Sequence, residues 1–170
     1  MTLNIREADL TDLALLNELG YNIYRSHFSH MWISESEMNV FLDAEYSYPT
    51  LARNLQDPST SWYLAEAHYP IGFAKVTWES LIPETSISGV LLNKLYLNPT
   101  ETGKNYGKMM FEKFIVLAQS LGKNYLWLEV LEQNERAYRF YEKQGMLYIK
   151  DTVLKTASQQ STLKVMGMTI

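Results

Sequence analysis

Residues 92–119 constrain this chain more than any other stretch. Leu92, Leu95, Tyr96 and Leu97 form a short apolar run with strand character. Asn98-Pro99 stops it, because proline has no backbone donor and steers the residue before it away from helix. A glycine-bearing loop follows, made of Thr102, Gly103, Lys104, Asn105, Tyr106, Gly107 and Lys108, and an apolar-rich helix is predicted from about Lys108. A loop delivered to a helix N-terminus presents N–H groups without intrahelical acceptors at the positive end of the helix dipole. Strand, loop and helix in this order therefore predict a site for an anion the size of a phosphate.

Two common phosphate loops do not fit. A P-loop needs G-x-x-x-x-G-K-[ST], but only three residues separate Gly103 from Gly107, and Met109 stands where the metal-binding hydroxyl belongs. The dinucleotide fingerprint G-x-G-x-x-G is absent. NTP and NAD binding are disfavoured on both counts.

The rest of the chain alternates in a way that predicts one α/β domain over 1–170. A strand is expected at 3–6, then a helix capped by Asp9 or Thr11 and running to about His27. Ser34 and Glu37 make a capping box for a second helix ending near Tyr46. Tyr48-Pro49-Thr50 reads as a turn before a short helix at 51–56. Residues 61–67 and 71–78 read as a hairpin, with a looser connection at 81–88. After the long helix, Gly122 serves as a C-cap, and a buried-looking strand follows at 124–131. Asn134 caps a helix ending at Gly145, and strands at 146–155 and 163–170 close the chain. Strand, helix and strand across 92–131 fit a right-handed parallel crossover within a mixed sheet.

Composition narrows the chemistry. The chain has no cysteine, which removes disulfides, thiolate metal sites and cysteine nucleophiles. Its net charge of −4 gives no basic footprint for nucleic acid or an anionic membrane. No apolar run approaches the ~20 residues of a spanning helix, and the polar N-terminus is unlike a signal peptide. A cytoplasmic location is the expectation. His27 and His30 lie three apart with no third ligand in sight, so no metal is expected.

Two blocks carry a resemblance to the GNAT acyltransferase superfamily, which uses acetyl-CoA. The first is Leu95-Tyr96-Leu97 followed by the loop, which resembles the family's [QR]-x-x-G-x-[GA] signature with Thr102 for the first residue and Asn105 for the central glycine. Asparagine tolerates left-handed backbone, so the turn survives. The second is the segment from Asn134 through Ala137, Phe140, Tyr141 and Gly145 to Met146, which resembles N-x-x-A-x-x-F-Y-x-x-x-G-F. The likeness is strongest over 60–170. The N-terminal helices look like the PaiA-type polyamine acetyltransferase subgroup.

The resemblance implies a single GNAT-like α/β (α+β) domain. Its central twisted sheet is mixed and mostly antiparallel, with about seven strands flanked by four to five helices. It also implies acetyl-CoA as cosubstrate, with no metal. The pantetheine arm would pair with the backbone of Leu95, Tyr96 and Leu97. The backbone from Thr102 through Gly103, Lys104, Asn105, Tyr106 and Gly107 to Lys108 would hold the pyrophosphate. Leu95 N–H would face the thioester oxygen. Asn134 would hold the cofactor arm, and Tyr141 would hold it too and protonate the leaving thiolate. The family often puts a glutamate on the pantetheine strand, but Leu91 stands there, with Asn93 two residues on. Glu129, in Trp127-Leu128-Glu129-Val130, is then the leading general base and Glu79 the second. A base is needed because an alkylamine of pKa near ~10 must lose a proton at pH 7, at a cost of roughly 4 kcal/mol.

The implied activity is direct transfer of acetyl to a small primary amine, polyamine first. Tyr21, Tyr24, Trp32, Asp43, Glu45 and Tyr46 give the N-terminal region an acidic and aromatic character suited to a cation. A protein N-terminal or lysine amine is the alternative acceptor. A non-catalytic acyl-CoA-binding module is the rival from another class, and a homodimer is an open expectation from the family.

Overall fold

The computed structural model describes residues 2–170. Seven strands are β1 (Asn4–Glu7), β2 (Thr60–Glu66), β3 (Pro70–Leu81), β4 (Ser88–Leu97), β5 (Tyr125–Leu131), β6 (Leu147–Lys155) and β7 (Gln160–Thr169). Five α-helices are α1 (Leu13–Phe28), α2 (Glu35–Tyr46), α3 (Tyr48–Gln56), α4 (Tyr106–Ser120) and α5 (Glu135–Lys143). The strands form one sheet in the order β1-β2-β3-β4-β5-β7-β6. It is mixed and mostly antiparallel, as expected. The crossover through α4 makes β4 and β5 parallel, with Val90 opposite Leu126 and Leu91 opposite Trp127. The two C-terminal strands pair antiparallel, and β7 also pairs antiparallel with β5, so β7 lies inside and β6 at the edge.

Most elements form where the sequence places them, and the differences have local causes. The third helix begins at Tyr48 rather than Leu51: Ser47 caps it by accepting from Thr50 N at 3.4 Å, and Pro49 occupies the first turn. Proline is suited there because the N–H it lacks would have no helical partner. The strand read from Leu92 begins at Ser88, and the helix read from Lys108 begins at Tyr106.

The chain divides into two compact units, Met1–Val76 with Lys94–Phe111, and Thr77–Asn93 with Glu112–Ile170. Strands β3 and β4 and helix α4 each contribute residues to both. In the first unit, Leu16, Leu42, Leu51, Trp62 and Phe73 are sealed from solvent. Gly20 lets α1 lie against the Tyr46 ring, since a Cβ there would sit 2.2 Å from Tyr46 Cδ1. The first turn after β1 is fixed by charge: Asp12 is buried, caps Asp9 N at 2.9 Å and takes a two-point contact from the Arg6 guanidinium at 2.9 and 2.8 Å. In the second unit, Ile82, Trp127 and Val165 form a buried cluster with Leu91, Tyr125 and Ile149 packed against it.

Candidate active site

The first unit contains the strand end, the loop and the N-terminus of α4. Its aromatic side chains come from both helices and strands. The Tyr96 ring packs edge-on against Phe28 at 5.5 Å and Phe73 at 5.7 Å. At its glycine, β3 comes so close to β4 that a Cβ on Gly72 would stand 2.5 Å from the Tyr96 carbonyl oxygen. His27, on the last turn of α1, reaches the end of the same strand, with Nε2 at 2.6 Å from the Leu97 carbonyl oxygen. A carbonyl only accepts, so Nε2 carries the proton.

After Leu97 the chain turns through a short 3-10 segment, Pro99–Glu101, capped by Asn98. Glu101 is buried and ties this turn to the loop. One of its oxygens accepts from Tyr69 Oη at 2.5 Å and the other from Lys104 Nζ at 2.8 Å. The Lys104 ammonium, followed by the Tyr69 hydroxyl, holds the Glu101 carboxyl below its usual range. Gly103 has φ +80° and Asn105 φ +69°, so both loop positions are left-handed. Asparagine thus does at 105 what glycine does in the family signature. Nothing stands within 4 Å of where a Cβ on Gly103 would be, so the loop backbone is open at that point. Thr102 turns its hydroxyl back onto the Pro99 carbonyl at 2.9 Å instead of reaching outward as a longer Gln or Arg would. Tyr106 is buried and starts α4. Two left-handed residues leading straight into a helix N-terminus fit the pyrophosphate of a coenzyme A.

In the same unit Glu45, one of the acidic residues read as suited to a cation, is paired with a lysine that sequence reasoning missed. Val90, Leu92 and Lys94 are all buried at alternate positions along β4. The Lys94 ammonium sits 3.1 Å from Glu45 and 5.1 Å from the centre of the Tyr46 ring. Burial pulls the Lys94 pKa down, and Glu45 opposes the shift. On neighbouring β3, Lys75 stands 5.8 Å from the centre of the Trp62 ring. Burial lowers its pKa first and Lys94 second. The available signal was a lysine at an inward position of an alternating strand. Tyr24 accepts from Trp32 Nε1 at 3.1 Å, and burial pushes its hydroxyl up to about 12. Asp43 accepts from Tyr21 Oη at 2.5 Å.

The second unit contains Asn134, Tyr141 and Glu129. Asn134 caps α5, with Oδ1 accepting from Ala137 N at 3.2 Å. Tyr141 is buried on that helix, and desolvation pushes its hydroxyl well above the ordinary value. The hydroxyl therefore keeps its proton at neutral pH. Glu129 is exposed on β5 and accepts from the Thr152 hydroxyl. Glu79 is less available: Lys123 at 2.8 Å and the Ser88 hydroxyl at 2.5 Å both bind it and hold its carboxyl low, Lys123 first. A hollow of about 260 Å³ in this unit, lined by Glu132, Glu135, Tyr138, Arg139 and Lys164, includes none of the residues named from sequence.

The family model for the acetyltransferase (GNAT) family matches residues 21–146, well over half the chain. The chain belongs to the GNAT acetyltransferase family. It is accordingly an acetyl-CoA-dependent N-acetyltransferase. An N-acetyltransferase of the pepI 3′ region in Lactobacillus delbrueckii subsp. lactis is 24% identical over 131 residues, 76% of each chain. The [ribosomal protein bS18]-alanine N-acetyltransferase of Haemophilus influenzae is 32% identical over 100 residues, 59% of this chain and 63% of the relative. Among solved structures, the PaiA N-acetyltransferase of Thermoplasma acidophilum in complex with coenzyme A is similar over 100% of both chains, with TM-score 0.75 and 22% identity. As a GNAT fold this chain has five α-helices, at the upper end of the expected number. Among the described residues, no helix is long and apolar enough to cross a membrane, and no three His, Asp or Glu side chains gather as metal ligands.

Proposed function

We propose that residues 1–170 work as one acyltransferase domain that moves acetyl from acetyl-CoA directly onto a primary amine of a small molecule. The supporting observation is the loop with left-handed Gly103 and Asn105 running into α4, in a chain of this family. Leu95, Tyr96 and Leu97 lie beyond the β4–β5 ladder at Val90 and Leu91, and their backbone offers an edge to which an extended pantetheine arm adds like a strand. Leu95 N–H donates to the thioester oxygen as it gains charge. The backbone of residues 102–108 takes the pyrophosphate, and Asn134 holds the cofactor arm.

Glu129, directly or through one water, takes the proton of the ammonium. The freed amine forms the new C–N bond as the C–S bond breaks, and the nitrogen then gives up its second proton to solvent. Tyr141 Oη gives its proton to the departing thiolate and regains one from solvent. Each turnover starting from the ammonium form releases one proton overall. No side chain forms a covalent intermediate, in keeping with a chain that has no cysteine.

Thiol release from acetyl-CoA with a panel of amines tests this reading. Polyamines head the panel, as the acceptor class named by the PaiA-type resemblance. Turnover with at least one small amine is expected. If CoA raises the melting temperature while no amine gives turnover, the chain is a binding module and the enzyme reading fails. A second acceptor class is a protein N-terminal amine, favoured by the 32% identity to the bS18-alanine enzyme. A peptide beginning with alanine belongs in the same screen.

A further inference from the structure

The first unit contains an imbalance of charge that the transfer steps leave unused. Lys94 and Lys75 come from adjacent strands, and the Lys94 ammonium is satisfied by Glu45 at 3.1 Å. Among the described residues, no carboxylate lies within ion-pair distance of Lys75. Glu45 and Asp57 act on it only at longer range. Asp57 is committed to its own turn, where it accepts from Ser59 N at 2.9 Å and Ser59 Oγ at 2.8 Å. Of the two ammonium groups, only that of Lys94 thus has a close carboxylate.

A second observation comes from the same neighbourhood. Tyr46 is fully enclosed, and its hydroxyl has no hydrogen-bond partner. A buried hydroxyl left unpaired is costly, and a half-buried ammonium without a close counter-charge is costly too. One oxyanion would relieve both costs, because it accepts from an ammonium and from a phenol at once. The acidic groups that made this region look like a cation trap are already engaged, Asp43 by Tyr21 and Glu45 by Lys94. The group that lacks a counter-charge is positive.

The place suits an acceptor. Lys94 immediately precedes Leu95, so its Cα lies ~3.8 Å from that of the proposed oxyanion donor. The Glu45 side chain is 34% exposed and Lys75 is half-buried, so the arrangement is open to solvent on that side.

We propose that the acceptor carries a carboxylate besides its reacting amine, and that Lys75 and the Tyr46 hydroxyl bind this carboxylate beside the Lys94–Glu45 pair. This rests on the acetyl-transfer reading and names the acceptor class within it: amino acids rather than simple amines or polyamines.

Matched acceptors that differ only by the carboxylate decide the matter: L-lysine against 1,5-diaminopentane, L-ornithine against 1,4-diaminobutane, and L-alanine against ethylamine. The expected kcat/KM is about tenfold or more higher for the acid-bearing member, the scale of one charge-assisted contact. In Lys75→Met the ratio collapses toward one, through KM of the acid-bearing member. In Tyr46→Phe it falls part-way. Circular dichroism and the melting temperature of each variant report folding. A ratio near or below one in the wild type, or an unchanged ratio in Lys75→Met, overturns the proposal while leaving acetyl transfer intact. If no amine releases thiol, the transfer reading has failed, and binding decides alone. The amino acids should then raise the melting temperature of the CoA-loaded wild type and not that of Lys75→Met; no rise in the wild type overturns the proposal.

Discussion

In the unit built from Met1–Val76 and Lys94–Phe111, charge is kept inside: the Lys94 side chain is 8% exposed beside Glu45, and Asp12 is buried under Arg6. In the other unit charge is kept outside. Lys164 reaches Glu132 and Asp151, Lys150 reaches Glu84, and Arg139 reaches Glu135, with every one of these carboxylates largely exposed. A buried pair is worth little as net stability, but it is damaging to break, whereas an exposed pair is nearly free to lose. The same kind of contact therefore serves different ends. In the first unit it fixes side chains around the strand that leads into Leu95. In the second it decorates a surface, and the residues given chemical roles, Tyr141 and Asn134, are positioned by α5 itself.

The largest expected effect tests the second unit's independence from charge. Tyr141→Phe removes one oxygen from a packed ring, so the melting temperature should hold within a few degrees while kcat falls by about 10²-fold or more, near 2.7 kcal/mol of barrier. CoA affinity measured by calorimetry should stay within twofold. Equal losses in kcat and CoA affinity would remove the acid role.

Next comes Glu45→Gln, which leaves Lys94 enclosed and unpaired. It should cost about 3 kcal/mol and lower the melting temperature by several degrees. A loss below ~1 kcal/mol would mean that Lys94 swings out to solvent, and the contrast between the units would vanish.

Acid should act on the first unit through Asp12. Its carboxyl is held below the usual range, first by the Arg6 hydrogen bonds and then, against burial, by Asp9 N–H. A carboxyl lowered in the folded state adds stability above its unfolded pKa, and that stability is lost as pH falls through the folded value. Urea midpoints should show the wild type losing its advantage over Asp12→Asn progressively as pH falls below about 5 toward the lowered folded value. Parallel curves would deny the linkage.

Gly103→Ala should cost about 1–2 kcal/mol, because φ is positive there while the Cβ itself meets nothing. A much larger loss in CoA affinity than in stability would mean that phosphate approaches the loop at that residue. The smallest effect belongs to the surface of the second unit: Glu132→Gln should change stability by less than ~0.5 kcal/mol.

The fold was legible wherever a local rule decides it. Asn134 as cap, Gly145 as stop and the apolar run of β5 need only their neighbours in sequence. The left-handed turn at Asn105 was readable too, because few residues tolerate that geometry. Pro49 misled because proline serves a turn and a first helical turn equally well, and only Ser47 in place as a cap separates the two. Lys94 and Lys75 stayed hidden for a different reason. Their meaning depends on what lies above the sheet, and Glu45 is 49 residues from Lys94. The acidic residues of α2 looked available for a cation because their partners are distant in sequence.

The contact from His27 to Leu97 has a mechanical consequence. Because the acceptor is a carbonyl, the bonded ring nitrogen is the one that carries hydrogen. The bond closes 70 residues of chain onto one point, from the last turn of α1 to the end of β4. A displacement of the α1 C-terminus is therefore passed directly to the carbonyl at which the strand ends.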